Sequence, residues 1–81
     1  MLPQMPKQRL INFGPNYKLS IVDEQNHNNK YELAVFFKER IVEMRGITDT
    51  GDTVTRFRTA KDVEMIMKKM FSITGKMPKK G

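Results

Sequence analysis

Residues 54–71, VTRFRTAKDVEMIMKKMF, constrain the fold more than any other stretch of this chain. The first six residues alternate in polarity with period two, the pattern of a half-buried strand, and the remainder repeats with the period of a helix. Val63, Ile66, Met67, Met70 and Phe71 fall at i, i+3, i+4, i+7 and i+8 and form one continuous apolar face. Thr59 is a natural N-cap, Asp62 lies near the positive helix end, and Gly75 is placed to terminate the helix. Lys68 and Lys69 lie towards the negative end, where cations are favoured. An amphipathic helix that follows a strand directly needs a sheet to cover.

The sheet is read from three further segments. YKLSIVDE (17–24) sets Tyr17, Leu19 and Ile21 against Lys18 and Ser20. KYELAVFFK (30–38) sets Tyr31, Leu33, Val35 and Phe37 against Glu32, Ala34 and Phe36, and the Asn-rich QNHNN (25–29) between these runs reads as a turn. Residues 30–45 also fit a helical stripe through Leu33, Phe36, Phe37, Ile41 and Met44. Their β-branched and aromatic content favours strands, with a turn at KER (38–40). RIVEMRGI (40–47) and VTRFRT (54–59) then read as a second hairpin around Gly51. The expected fold is α+β: a four-stranded antiparallel β-meander with one C-terminal α-helix packed on one face (ββββα). The expected core takes Tyr17, Leu19, Ile21, Leu33, Val35, Phe37, Val42, Met44 and Phe57 from the sheet and Val63, Ile66, Met67, Met70 and Phe71 from the helix.

The ends read differently. Residues 1–16 carry Pro3, Pro6, Pro15 and Gly14 and are expected to form an extended arm, since proline removes a donor and disfavours helix before it. Leu10, Ile11 and Phe13 make this arm too apolar for a solvated tail, so it either folds back over a sheet edge or core rim or docks on a neighbour. Residues 17–75 form a single α+β domain, and residues 76–81 a basic C-terminal tail.

With 81 residues the chain supports one small core, and a core of that size gains from self-association or a partner. It has no cysteine, which excludes disulfides and Cys-based metal sites and fits a reducing cytoplasm. Its longest apolar run, LAVFF (33–37), is too short to span a membrane. The net charge is +6, five of it carried by residues 1–16 and 76–81. A nearly neutral body weakens the inference from a basic chain to a nucleic-acid domain.

Catalytic groups are scarce. His27, the one histidine, sits in a polar turn, without the enclosed site and orienting partner a general base needs. TDTGDT (48–53) lacks the ligand spacing of a calcium loop, and TGK (74–76) lacks the earlier glycine of a phosphate loop. No catalytic residue, cofactor, metal or small-molecule substrate is expected, and no membrane association.

The sheet side away from the helix is expected to present Lys18, Ser20, Val22, Glu32, Ala34, Phe36, Lys38, Ile41, Glu43, Arg45, Ile47, Val54, Arg56 and Arg58. Such a mixed apolar and Arg-bearing surface marks an interface. The first expectation is a non-catalytic interaction module that binds a protein partner or self-associates through Phe36, Ile41, Arg45, Arg56 and Arg58 with Leu10, Ile11 and Phe13 of the arm. The second is a single-stranded nucleic-acid binder using Phe36 for stacking and Lys18, Arg45, Arg56, Arg58, Lys76, Lys79 and Lys80 for phosphates. The strand-strand-strand-strand-helix order resembles the layout of the PC4-like single-strand binders, which act as dimers. The same layout also occurs in small phage-encoded inhibitors of host proteins, which would imply an accessory or inhibitor role.

Overall fold

The computed structural model describes residues 8–24 and 29–80, apart from the side chain of Phe57. It is α+β, as the patterning requires: one antiparallel sheet with a single long helix near the C-terminus. The strands are β1 (Gln8–Phe13), β2 (Tyr17–Asp23), β3 (Tyr31–Phe37), β4 (Arg40–Val42), β5 (Val54–Arg58) and β6 (Pro78–Lys80), and α1 spans Ala60–Thr74 between the last two.

Two segments expected outside the folded body belong to the sheet. Gln8–Phe13 of the arm pairs along β2, from Gln8 against Val22 to Phe13 against Tyr17. Pro78–Lys80 of the tail pairs on the other side of β1, with Phe13 against Pro78 and Ile11 against Lys80. The arm thus folds back as an edge cover, and Phe13 becomes one of the most enclosed side chains, 1% exposed. Residues 1–7 of the arm lie outside the described residues.

The expected second hairpin does not form. β4 is three residues long and pairs with Val35–Phe37, while β5 pairs with the other half of the same β3 edge, at Tyr31–Ala34. The two strands lie end to end along β3 rather than side by side. The sheet therefore has five strand positions, with β4 and β5 sharing one edge and β6 forming the other. Between β4 and β5 the chain turns at Met44–Thr48. The Met44 carbonyl accepts from the N–H groups of Ile47 (3.0 Å) and Thr48 (2.9 Å), and Thr48 Oγ1 accepts from Met44 N–H (2.9 Å). Ile47, expected on the open face, is instead turned into the core and is 4% exposed.

The core comprises Phe13, Leu19, Ile21, Leu33, Val35, Ile47, Ile66 and Met70, with Ile11, Tyr17, Tyr31, Val42, Met44, Val63 and Met67 packed around it. α1 is fixed at its start by a reciprocal cap. Thr59 Oγ1 accepts from Asp62 N–H (3.2 Å), and the Asp62 carboxylate accepts from Thr59 N–H (2.9 Å) and the Thr59 hydroxyl (3.0 Å). At its end Gly75 adopts φ 68°, a conformation glycine takes without steric cost, and donates to the Phe71 carbonyl (2.8 Å). Phe71, expected in the core, is 44% exposed: the helix turns its buried line through Ile66 and Met70, leaving Phe71 at the margin.

Two predictions follow from this packing. Phe13→Ala should destabilise the chain by roughly 3–5 kcal/mol, against about 1 kcal/mol or less for Phe71→Ala, as read by urea unfolding. The hydrogen bonds from the Thr59 backbone and hydroxyl, with Arg58 and Lys30 nearby, lower the Asp62 pKa. Its charged form therefore stabilises the fold above the ordinary aspartate range, and that contribution is lost as pH falls through the lowered folded value. Asp62→Asn should lower the melting temperature at neutral pH, and the difference from the parent should close in acid.

Candidate interaction surface

In an antiparallel sheet, residues paired in register point to the same side. The register therefore assigns the faces. The helix side carries Ile11, Phe13, Tyr17, Leu19, Ile21, Leu33, Val35, Phe37, Val42 and Thr55. The opposite face carries Leu10 and Asn12 from β1, Lys18, Ser20 and Val22 from β2, Glu32, Ala34 and Phe36 from β3, Ile41 from β4, Val54 from β5 and Lys79 from β6.

This open face is apolar on its β4/β5 side and at two points beyond. Ile41 and Phe36 are neighbours in register, as are Val54 and Ala34, with Leu10 and Val22 farther across. Ile41 is 45% exposed and Leu10 38%; Phe36, Val22, Ala34 and Val54 are half-buried by their neighbours. Ser20, in the middle, is buried and accepts a hydrogen bond from Gln8 Nε2 (3.0 Å).

Two cations of this face, Lys18 and Arg56, are matched by acids, and Lys79 at its β6 edge has no ion-pair partner among the described residues. Lys18 Nζ lies 3.1 Å from Glu39 Oε1, and Arg56 donates to Glu32 Oε2 at 3.3 Å. As exposed pairs they add about 0–1 kcal/mol each to stability. Their greater consequence is to leave this face without strong net charge.

Five expected members of the face lie elsewhere: Lys38 in the turn after β3, Glu43, Arg45 and Ile47 beyond the end of β4, and Arg58 on the helix side. Arg45 is exposed in the turn after β4, which ends at Val42, so it is off the sheet. Arg58 is on the helix side because β5 contains a bulge: Thr55 to Arg58 is three steps, against two from Leu33 to Tyr31. Arg56 and Arg58, expected together, are thereby separated. Arg58 Nε donates to Thr55 Oγ1 (2.6 Å) and Nη2 to Asp49 Oδ1 (3.1 Å), while the Thr55 hydroxyl donates to the same Asp49 oxygen (3.0 Å). Thr55 is fully buried, so this network ties the 48–53 turn to β5 and gives Arg58 a structural role. Asp52 supports the same turn by accepting from Thr53 N–H (2.7 Å) and Val54 N–H (3.2 Å).

Of the arm residues, Leu10 reaches the open face, Ile11 faces the helix and Phe13 is core. Lys79 joins the open face at the β6 edge, Lys80 shares the register of Ile11 on the helix side, and Lys76 crosses Gly14. Sequence reading also missed a second apolar hollow, beside α1, of about 340 Å³ and lined by Met67, Lys68, Phe71, Met77 and Pro78. The exposed side of the Met67–Phe71 pair could have signalled it. Among the described residues, no three His, Cys, Asp or Glu side chains cluster to hold a metal ion; His27 lies outside them. No described helix is long and apolar enough to cross a membrane.

This arrangement defines an α+β chain with one open, partly apolar sheet face. No family model, no curated protein and no solved structure matches it.

The network predicts that Thr55→Val, which keeps the shape and removes the hydroxyl, costs about 1 kcal/mol by urea unfolding. Arg56→Ala, which breaks only an exposed pair, should cost about 0.5 kcal/mol or less.

Proposed function

We propose that this chain is a small non-catalytic interaction module that docks on protein, a second copy or a different chain, through the sheet face away from the helix. The supporting observation is the apolar strip of Ile41, Phe36, Val54 and Ala34 with Leu10 and Val22, on a face where Lys18 and Arg56 are each paired with a glutamate. Exposed apolar surface of this kind marks a binding site, and the two ion pairs weaken its selection of a polyanion.

The sheet edges favour docking by the face. β6 is three residues long and presents proline and two lysines, while the other edge is split between a three-residue strand and a bulged one. Short strands, Pro, Lys and bulges all discourage strand addition. An occupant therefore lies across the face, as one sheet or helix layer lies on another.

Sedimentation velocity over a range of concentrations tests the self-associating form. The parent chain should show a concentration-dependent dimer, and Ile41→Asp, at an exposed position, should be monomeric with unchanged circular dichroism. A photo-crosslinking amino acid at position 41 tests the heterologous form in cells. A strict monomer together with no specific cross-linked partner would falsify the proposal.

A further inference from the structure

The net charge of this chain is concentrated at one end of the sheet. The turns at residues 14–16 and 38–39 sit side by side there, joined by a hydrogen bond from Lys38 N–H to the Asn16 carbonyl (2.8 Å). β6 enters the sheet at the same end, opposite Phe13. The fold thereby gathers Lys18, Lys38, Arg40, Lys76, Lys79 and Lys80, with Glu39 as the accompanying carboxylate. Six basic groups and one acidic one give this end five of the chain's six net positive charges. At the opposite end, Asp23, Glu24, Glu32 and Asp62 balance Arg9, Lys30, Arg56 and Arg58. Body residues far apart in sequence join the C-terminal lysines, so a chain with a nearly neutral middle acquires a polar charge distribution.

Apart from Lys18, which pairs with Glu39, these cations are exposed and form no ion pair among the described residues. Lys76, Lys79 and Lys80 line a groove of about 460 Å³ with Asn12, Gly14 and Met77. Gly14 is required for that approach: a Cβ there would lie 2.8 Å from Lys76 Cγ, and its φ is +74°. Part of the lysine charge has a structural use, since the C-terminal carbonyls of α1 face this end and favour cations. That does not account for Lys38 and Arg40. Beside them the half-buried rings of Tyr17 and Phe37 stack with centroids 4.7 Å apart, and Lys38 Nζ lies 5.5 Å from the Phe37 ring centre.

We propose that this basic end binds single-stranded nucleic acid, with its cations on successive phosphates and the Tyr17–Phe37 pair as a stacking surface for a base. The cations run across the sheet from β4 to β6, a span of roughly 19 Å at the usual strand spacing. They sit on turns and strands, so no helix carries them into a duplex groove. The site shares Lys18 and Lys79 with the rim of the open face but uses none of Leu10, Ile41 or Val54.

Fluorescence anisotropy of a labelled oligothymidylate titrated with the full chain tests this. With four phosphate contacts, affinity falls roughly 50-fold between about 50 and 200 mM salt. Lys38→Gln with Lys79→Gln weakens binding about tenfold and lowers the logarithmic salt slope by about 1.4. Phe37→Leu weakens it about fivefold at an unchanged slope. Lys61→Gln with Lys68→Gln, the same charge change on α1, leaves affinity within about twofold. Circular dichroism checks each variant, and Arg40→Gln with Lys79→Gln repeats the test if Lys38→Gln disturbs its turn. Absence of binding at low salt overturns the proposal, as does equal loss from the α1 pair. Uptake by phosphatidylserine vesicles without oligothymidylate binding also overturns it.

Discussion

A single helix about 10 Å across has to cover a sheet whose five strand positions span roughly 19 Å. That mismatch governs the rest of the structure. α1 starts directly after β5 and reaches β1, crossing the sheet rather than lying along one strand. Its buried line, through Ile66 and Met70, fills the middle. The helix cannot seal both flanks, so Ile47 of the 43–53 loop closes one, and Lys69 Nζ holds that loop by donating to the Gly46 carbonyl (2.9 Å). On the other flank Phe71, Met77 and Pro78 remain around an open hollow. The second face of the sheet receives no cover from the described residues. Exposed apolar surface follows here from having one helix and a wide sheet.

The two surfaces that result differ in electrostatics. On the open face Lys18 and Arg56 are each opposed by a glutamate, so apolar contact dominates. At the turn end, cations accumulate because the topology brings two hairpin turns and the entry of β6 to one place. Coulomb attraction between exposed groups is weak singly and screened beyond about 10 Å at ordinary salt. Cations gathered at one end of the sheet add their fields where they lie within that distance. Placement, rather than the total of +6, is therefore what gives the charge a direction.

Much of this fold was legible in the sequence because local period and global burial agree. β2, β3 and α1 alternate or repeat cleanly, and Thr59, Asp62 and Gly75 mark the helix ends where the structure has them. The departures arise where local pattern is weak or interrupted. β1 was read as an arm because prolines flank it, although proline beside a strand is compatible with pairing. β6, at three residues with two lysines, has too little pattern to announce itself. Arg58 was placed on the wrong side because counting by twos fails across a bulge, which moves every later side chain to the other face. Ile47 was assigned to a strand that stops at Val42, and nothing in RIVEMRGI marks the stop before Gly46. Of the candidate site residues, Phe36, Ile41, Leu10, Lys18, Arg56 and, at its β6 edge, Lys79 share the open face. The association of Lys38 and Arg40 with the C-terminal lysines depends on strand order, which a period does not encode.

The turn between β3 and β4 bears on whether the basic end is incidental. Phe37 pairs with Arg40, so the loop has two residues, and both have positive φ: 50° at Lys38 and 70° at Glu39. A two-residue hairpin of this kind favours Asn-Gly, because L side chains with a Cβ are strained there. Lys and Glu at these positions cost roughly 1 kcal/mol or more each relative to that choice. Edge protection accounts for Lys79 and Lys80, and the helix dipole for Lys76. Neither reason reaches Lys38, which sits at a hairpin tip where a residue better suited to the fold is readily available. Glu39 gains a partner in Lys18, but an exposed pair at 3.1 Å returns less than the strain it sits on. A side chain kept against local stability, next to exposed cations and an aromatic pair, is where a demand other than folding acts on the sequence.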